Sequence, residues 1–370
     1  MRVLLIVTDL QIGGTPLQVY RLAKGLRQTG IDVAVCCLAD KGHVAKLIEK
    51  ENINVYALQA KNICDLHILL RLAKLINAYK PDICHSFLMH SNIITRIAGK
   101  LLSFHSCKII STICTVERQK NWHMIMENVT FRLADIIVCI SNAVLQHCIG
   151  AGYISKNRLK VIYPGIDINK IRLAKPKNIE VEHFNNNSAN RICFLGRLDP
   201  VKRVDLILHA LREIRNNHHD INVQFIVIGD GPQRDKLENL AQELKINDIV
   251  CFLGFREDYP SILKSCKVYV LASEQEGWGI ATAEAIAAGL VPVVSNIDGS
   301  REIIEKVGGL TFRVGDRKDL ADKLIEAIRM FNNKEFIIDD DMLAFFDYHR
   351  ETADYVKLYK KLLQRSNLIG

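Results

Sequence analysis

The sequence predicts two doubly wound parallel α/β domains, and three observations carry that prediction. At 370 residues the chain exceeds what one hydrophobic core usually supports, so two domains are expected. Short runs of Val, Ile and Leu alternate with amphipathic helical patterns, the signature of parallel strands covered by helices on both faces. The alternation also stops once and restarts: residues 172–190, ending VEHFNNNSAN, are polar and rich in asparagine, as a linker would be.

Along the first domain, residues 1–170, the strand runs are VLLIVT (3–8), DVAVCCL (32–38), NVYAL (54–58), DICHSF (82–87), KIISTI (108–113), DIIVCIS (135–141) and LKVIYPG (159–165). The opening MRVLLIVTDLQIGG is read as a buried first strand: its apolar run is too short for a signal sequence and no small-residue cleavage site follows. The second domain, residues 191–346, restarts with RICFLGRLD, NVQFIVIGDG, IVCFLGFR, KVYVLAS and VPVVSN, each followed by a helical segment. Residues 347–370 hold HRETADYVKLYKKLLQR, a helix whose apolar stripe can pack back on the N-terminal domain or on the second.

A composition of 49% hydrophobic and 24% charged residues excludes disordered and fibrous classes. The eleven cysteines are scattered, odd in number and without a CxxC pair, so neither a zinc knuckle nor a redox motif is offered. They read as reduced thiols of a cytoplasmic protein. No apolar window reaches eighteen residues, so no membrane span is expected. The net charge of +8 sits in the N-terminal half: residues 1–170 carry 21 Lys and Arg against 11 Asp and Glu, the rest 28 against 30. That asymmetry is what an anionic partner would require, a phosphate-bearing substrate or an acidic bilayer, and equally what a solvated basic face would show; no nucleic-acid partner is expected.

Ligands of open α/β sheets bind at the carboxyl ends of strands, and the motifs fall there. Gly13 and Gly14 lie between the first strand and its helix, where free N–H groups receive a phosphate or a tight turn is all that is needed. In FLGRLDPVKRVDLIL, Arg197 follows a strand end, and Lys202 and Arg203 open a helix. A planar fork and a mobile ammonium together suit a pyrophosphate. GDGP places Gly229, Asp230 and Pro232 at a strand-to-helix turn, as a connection or a ligand contact.

SEQEGWGIATAEAIAAG sets Glu276 in a glycine loop and Glu284 in the helix that follows. A carboxylate accepts from two vicinal hydroxyls at once, so Glu284 suits a ribose and Glu276 a sugar ring, with the loop amides beside them. Paired hydrolytic carboxylates are the rival reading. His85 and His90, in DICHSFLMHSN, are candidate sugar or acceptor contacts, or structural histidines at a strand end.

Taken together, GG in the first loop, GRLDPVK, GDGP, LGF and EGWGIATAE, in that order, resemble family 4 of the retaining glycosyltransferases, whose GT-B architecture sets two Rossmann-like domains face to face across a cleft. The resemblance implies that Arg197 and Lys202 bind the donor diphosphate, that Glu276 contacts the donor sugar and that Glu284 holds the ribose. It implies further that the amides of Trp278, Gly279 and Ile280 line sugar and phosphate, with Gly229 nearby, Arg256 beside the base and Gly14 on the diphosphate from the other domain. No metal and no cofactor is implied, only a nucleoside-diphosphate sugar as co-substrate. Transfer would retain the anomeric configuration, the acceptor entering on the face the nucleotide leaves while protein groups stabilise the departing diphosphate.

Two departures stand out. Where the family carries a histidine after the strand matching KIISTI, this chain has Cys114 and Thr115, which passes acceptor or sugar contacts to Glu117 or Arg118. Pro164 in YPGID replaces an asparagine of the interdomain turn. The acceptor expected is a glycan or lipid-linked glycan of cell-surface polysaccharide synthesis. The basic helical stretches RLAKLINAYK (71–80) and TRIAGKLLSFHSCK (95–108) would give peripheral contact with an anionic membrane at its inner face, or are ordinary sheet-packing helices. Alternatives of other classes are a sugar-nucleotide 2-epimerase of similar form and a silent sugar-nucleotide binding protein.

Overall fold

A computed structural model describes residues 1–61, 65–115, 121–150, 158–177 and 190–366. The chain divides into two compact units, the first comprising Met1–Ile166 with Asp347–Gly370, the second Asp167–Phe346.

Unit 1 is built on seven parallel strands: β1 (Arg2–Val7), β2 (Asp32–Cys37), β3 (Asn54–Ala57), β4 (Ile83–Phe87), β5 (Lys108–Ile113), β6 (Ile136–Cys139) and β7 (Leu159–Val161). Their spatial order is β3-β2-β1-β4-β5-β6-β7, with Val3 opposite both Val33 and Ile83. Val3–Val7 and all five residues of β4 are buried, as a strand covered on both faces requires. The C-terminal helix Tyr348–Ser366 packs on the helix Gly14–Gln28 and buries Tyr355 and Tyr359 completely. It enters beside the segment that leaves: Ile166 bridges Asp347, and the Tyr348 amide donates to the Ile166 carbonyl at 3.1 Å.

Unit 2 has six parallel strands: β8 (Asn190–Leu195), β9 (Val223–Ile228), β10 (Val250–Gly254), β11 (Val268–Leu271), β12 (Val291–Ser295) and β13 (Leu310–Phe312). Their order is β10-β9-β8-β11-β12-β13. β13 is not expected from the sequence, because its three residues after Gly308 and Gly309 are too few to show a period. The first domain is expected to end at residue 170, whereas the second unit begins at Asp167. Asp167 caps the short helix Ile168–Arg172, accepting from the Lys170 amide at 2.9 Å, and Ile168 and Ile171 are buried. That helix packs against Tyr259–Leu263 and Ile280–Ala287 of the same unit.

Ten cysteines among the described residues are free thiols, nine of them buried. No described helix is long and apolar enough to cross a membrane.

Each sheet reverses its strand order once, between β1 and β4 in unit 1 and between β8 and β11 in unit 2. At such a switch the flanking loops leave in opposite directions and open a crevice at the carboxyl edge.

Candidate active site

The unit 2 switch is flanked by the loops that follow β8 and β11, the same two loops that carry Arg197, Lys202 and Glu276. Main-chain bonds pin the first loop on both sides. The Gly196 amide donates to the Ile228 carbonyl at 3.0 Å and the Leu198 amide to Asp230 at 2.9 Å, while Glu274 donates to Val201 at 2.9 Å from the β11 side. Gly229 makes this approach feasible: its φ is +130°, and a Cβ there would stand 2.0 Å from the Gly196 carbonyl oxygen. Its role in the structure is therefore to let two strand ends meet.

Lys202 and Glu276, far apart in sequence, are brought together. Lys202 Nζ donates to Glu276 Oε2 at 2.6 Å, and Ser273 Oγ lies 3.4 Å from the same oxygen. Both side chains keep partial access to solvent, at 22% and 17%. Gly279, at φ +89°, caps the helix Ile280–Ala287, whose first amides have no carbonyl four residues earlier within the helix to bond. The Trp278 ring is buried against Phe345 and Phe346, at centroid distances of 6.0 and 6.4 Å, so only its backbone is left for a ligand.

Glu284 lies in the second turn of that helix, 5% exposed, and accepts from the Tyr259 hydroxyl at 3.0 Å. Tyr269 on β11 is completely buried; burial first, then the Glu276 and Glu284 carboxylates among nearby charges, push its phenol well above the ordinary range. Neither tyrosine stands out in the sequence.

The cations differ in their commitments. Arg197, 65% exposed, pairs with Asp199 at 2.8 Å, and Arg256 forms a two-pronged pair with Asp258 at 2.7 and 2.7 Å. Arg256 and Lys177, which reaches Asp258 at 2.6 Å, hold that carboxyl well below the usual carboxylate range. Arg203 is bound to Asp205 and Glu274 and braces the loop. The Arg-x-Asp spacing, visible in GRLD and FRED, is the one local signal of this pairing.

In unit 1, Gly14 opens the helix after β1, and His90 lies in the first turn of the helix Met89–Ile97 after β4, so both flank that sheet's switch. His85 corrects the expectation of a sugar or acceptor contact. It is the middle residue of β4, fully buried, with Nδ1 2.6 Å from the Tyr359 hydroxyl and Nε2 2.7 Å from the Thr112 hydroxyl. Burial lowers its pKa to about 3, so it is a neutral core residue with both nitrogens engaged. Cys114, in the place of the expected histidine, is buried too, and burial pushes its thiol up to about 12. Glu117 and Arg118 lie outside the described residues.

Two parallel α/β units, each with one reversal of strand order, have the fold of GT-B proteins. The profile described as Glycosyl transferases group 1 matches residues 176–336, and that of Glycosyltransferase Family 4 matches residues 12–170. The chain belongs to this glycosyltransferase family. It is 29% identical over 258 residues to the UDP-Gal:alpha-D-GlcNAc-diphosphoundecaprenol alpha-1,3-galactosyltransferase of Escherichia coli. That match covers 66% of this chain and 65% of that enzyme, slightly under two thirds of its length. An uncharacterized glycosyltransferase of Methanocaldococcus jannaschii, MJ1607, is 25% identical with 94% of each chain covered. Among solved structures, Anabaena Alr3699/HepE in complex with UDP superposes with a TM-score of 0.80 at 20% identity, over 98% of this chain and 100% of that one. Nothing in these comparisons supports the epimerase alternative.

Proposed function

We propose that this glycosyltransferase moves a hexose, with retention at the anomeric carbon, from a UDP-sugar to a hydroxyl of a glycan or lipid-linked glycan in cell-surface polysaccharide synthesis. The observation that carries the reading is the Lys202–Glu276 pair at the β8/β11 switch, with Glu284 held by Tyr259 in the adjoining helix. A diphosphate arriving there competes with Glu276 for the ammonium, and the released carboxylate becomes free to accept sugar hydroxyls. Glu284, oriented by the Tyr259 hydroxyl, is the carboxylate that accepts from the ribose hydroxyls. Arg197 swings from Asp199 to the phosphates, and with Lys202 supplies the electrophilic stabilisation of the leaving diphosphate, without a metal or further cofactor. UDP as the nucleotide is supported by the UDP-Gal in the name of the Escherichia coli enzyme and the UDP in the HepE complex; a lipid-linked acceptor is supported by the diphosphoundecaprenol in the former. The site of action is the cytoplasm, at the inner face of the membrane.

The test is UDP release by the purified protein across a panel of UDP-sugars, with and without lipid-linked acceptors, followed by NMR of the product linkage. Acceptor-dependent UDP release and an unchanged anomeric configuration are expected. No turnover with any UDP-sugar, or an inverted linkage, would overturn the reading.

A further inference from the structure

We infer that unit 1 rests on an anionic lipid bilayer through the outer surface of the helices that follow β3, β4 and β5, with Phe104 as its deepest contact. The inference rests on the membrane-bound setting proposed for the acceptor and assigns the surface that meets it.

Crossovers between parallel strands are right-handed, so the connections β3–β4, β4–β5 and β5–β6, which step the same way across the sheet, place their helices on one face. These are His67–Tyr79, Met89–Ile97 with its continuation Ala98–Leu102, and Asn121–Thr130, each packed on the next. Their inner residues, such as Ile68, Leu72 and Ile76, are buried. The outer side of such a layer should be polar. Instead Leu66, Leu70, Leu101, Phe104, Ile125 and Val129 are exposed, Phe104 to 98% and Leu66 to 75%. Scattered single apolar residues are normal on a surface, but six on successive elements of one layer are not. Leu66 and Leu70 share a stripe at i, i+4, and Ile125 and Val129 repeat the spacing.

Charge selects the occupant. Every described carboxylate between residues 65 and 135 is already engaged: Asp65 by Arg71, Asp82 by the Arg2 amide, Glu127 by Arg96 and Asp135 by Lys100. Lys74 on the first helix, Lys80 at its end and Arg132 after the third are exposed. An apolar surface with a cationic border suits acidic head groups above acyl chains, whereas a second copy of the chain would bring these cations against one another.

The experiment is flotation with phosphatidylcholine vesicles, with and without phosphatidylglycerol and in both cases free of acceptor lipid. The wild-type chain should float with the acidic vesicles only, less so at high salt. The Leu101→Glu/Phe104→Glu variant should lose binding by at least about tenfold, with an unchanged melting temperature and unchanged UDP release on a short water-soluble acceptor. Lys74→Gln/Lys80→Gln/Arg132→Gln should weaken binding and flatten its salt dependence. Wild-type protein that stays at the bottom of the gradient, or variants that float as well as it does, would overturn the inference. So would a wild-type dimer in sedimentation that Phe104→Glu splits, because the face would then meet a second copy. Since the vesicles carry no acceptor, a strictly water-soluble acceptor would defeat the acceptor reading without touching this result.

Discussion

Lys202 and Glu276 hold each other at 2.6 Å, so the ammonium is positioned before any ligand arrives. Lys202→Ala should lower kcat by about 10²- to 10³-fold, the usual effect of removing one group from a developing negative charge. The melting temperature should hardly move, because a partly exposed ion pair contributes little to stability. Steady-state kinetics equal to wild type would remove Lys202 from the reaction. Tyr259 acts one step away: Tyr259→Phe removes one hydrogen bond that orients Glu284, so the donor KM should rise roughly three- to tenfold with kcat at saturation unchanged. A matching fall in kcat would mean that Tyr259 serves the transition state instead. Arg197 beside Gly196 and Glu276 beside Gly277 stand out in one dimension as charges next to glycines in the loops that follow strands. Lys202 and Glu284 are picked out only by lying a few residues further on. Tyr259 is not readable, since its partner lies 25 residues away and the contact exists only once both helices are packed. His85 misleads because the strand run was visible while its neighbours in space, Thr112 and Tyr359, were not.

The C-terminal helix shows the same limit at the level of elements. Its apolar stripe predicts a packed helix, yet its docking is set by Glu351, which accepts from Gln18 Nε2 and the Gly165 amide, both at 2.7 Å and 333 and 186 residues distant. Burial pushes the Glu351 pKa up to about 7 from an ordinary 4.5. A raised value means that its contribution to stability is complete below pH 4.5 and is lost as pH climbs through 7. His85, lowered to about 3, has the opposite sign: its contribution is present above pH 6.5 and is lost as pH falls toward 3. The two oppose each other between pH 4.5 and 6.5. Glu351→Gln leaves His85 alone, so the stability advantage of wild type over this variant should shrink by about 3 kcal/mol between pH 4.5 and 7.5 in urea unfolding. Parallel pH profiles for the two proteins would show that Glu351 does not titrate in that window. Strand elements were more legible than their partners: twelve of the thirteen follow from apolar runs, whereas β13 needs β12 beside it to exist as a strand.

At the scale of the molecule the fold class was legible because one pattern occurs twice, with a polar interruption between. The course of the chain was not, because it depends on where a distant helix docks. Unit 1 is discontinuous, taking its last helix from beyond unit 2, whereas unit 2 is the uninterrupted stretch Asp167–Phe346, left and re-entered at the paired Ile166 and Asp347. That stretch has its own six-stranded sheet and buried core, and it contains Arg197, Lys202, Arg256, Glu276 and Glu284. Expressed alone, residues 167–346 should therefore fold and bind UDP with a Kd within about tenfold of the full chain, since the free energy of a bound nucleotide is set by the groups that touch it. They should release no UDP from a UDP-sugar, because the proposed acceptor contacts are left behind. Residues 1–166 alone, stripped of Tyr355, Tyr359 and Glu351, should not fold cooperatively. Calorimetric titration and thermal unfolding of the two fragments decide the matter. A folded 167–346 fragment blind to UDP would place essential nucleotide contacts in unit 1, and the Gly13–Gly14 helix terminus would then outrank Lys202 as the phosphate site.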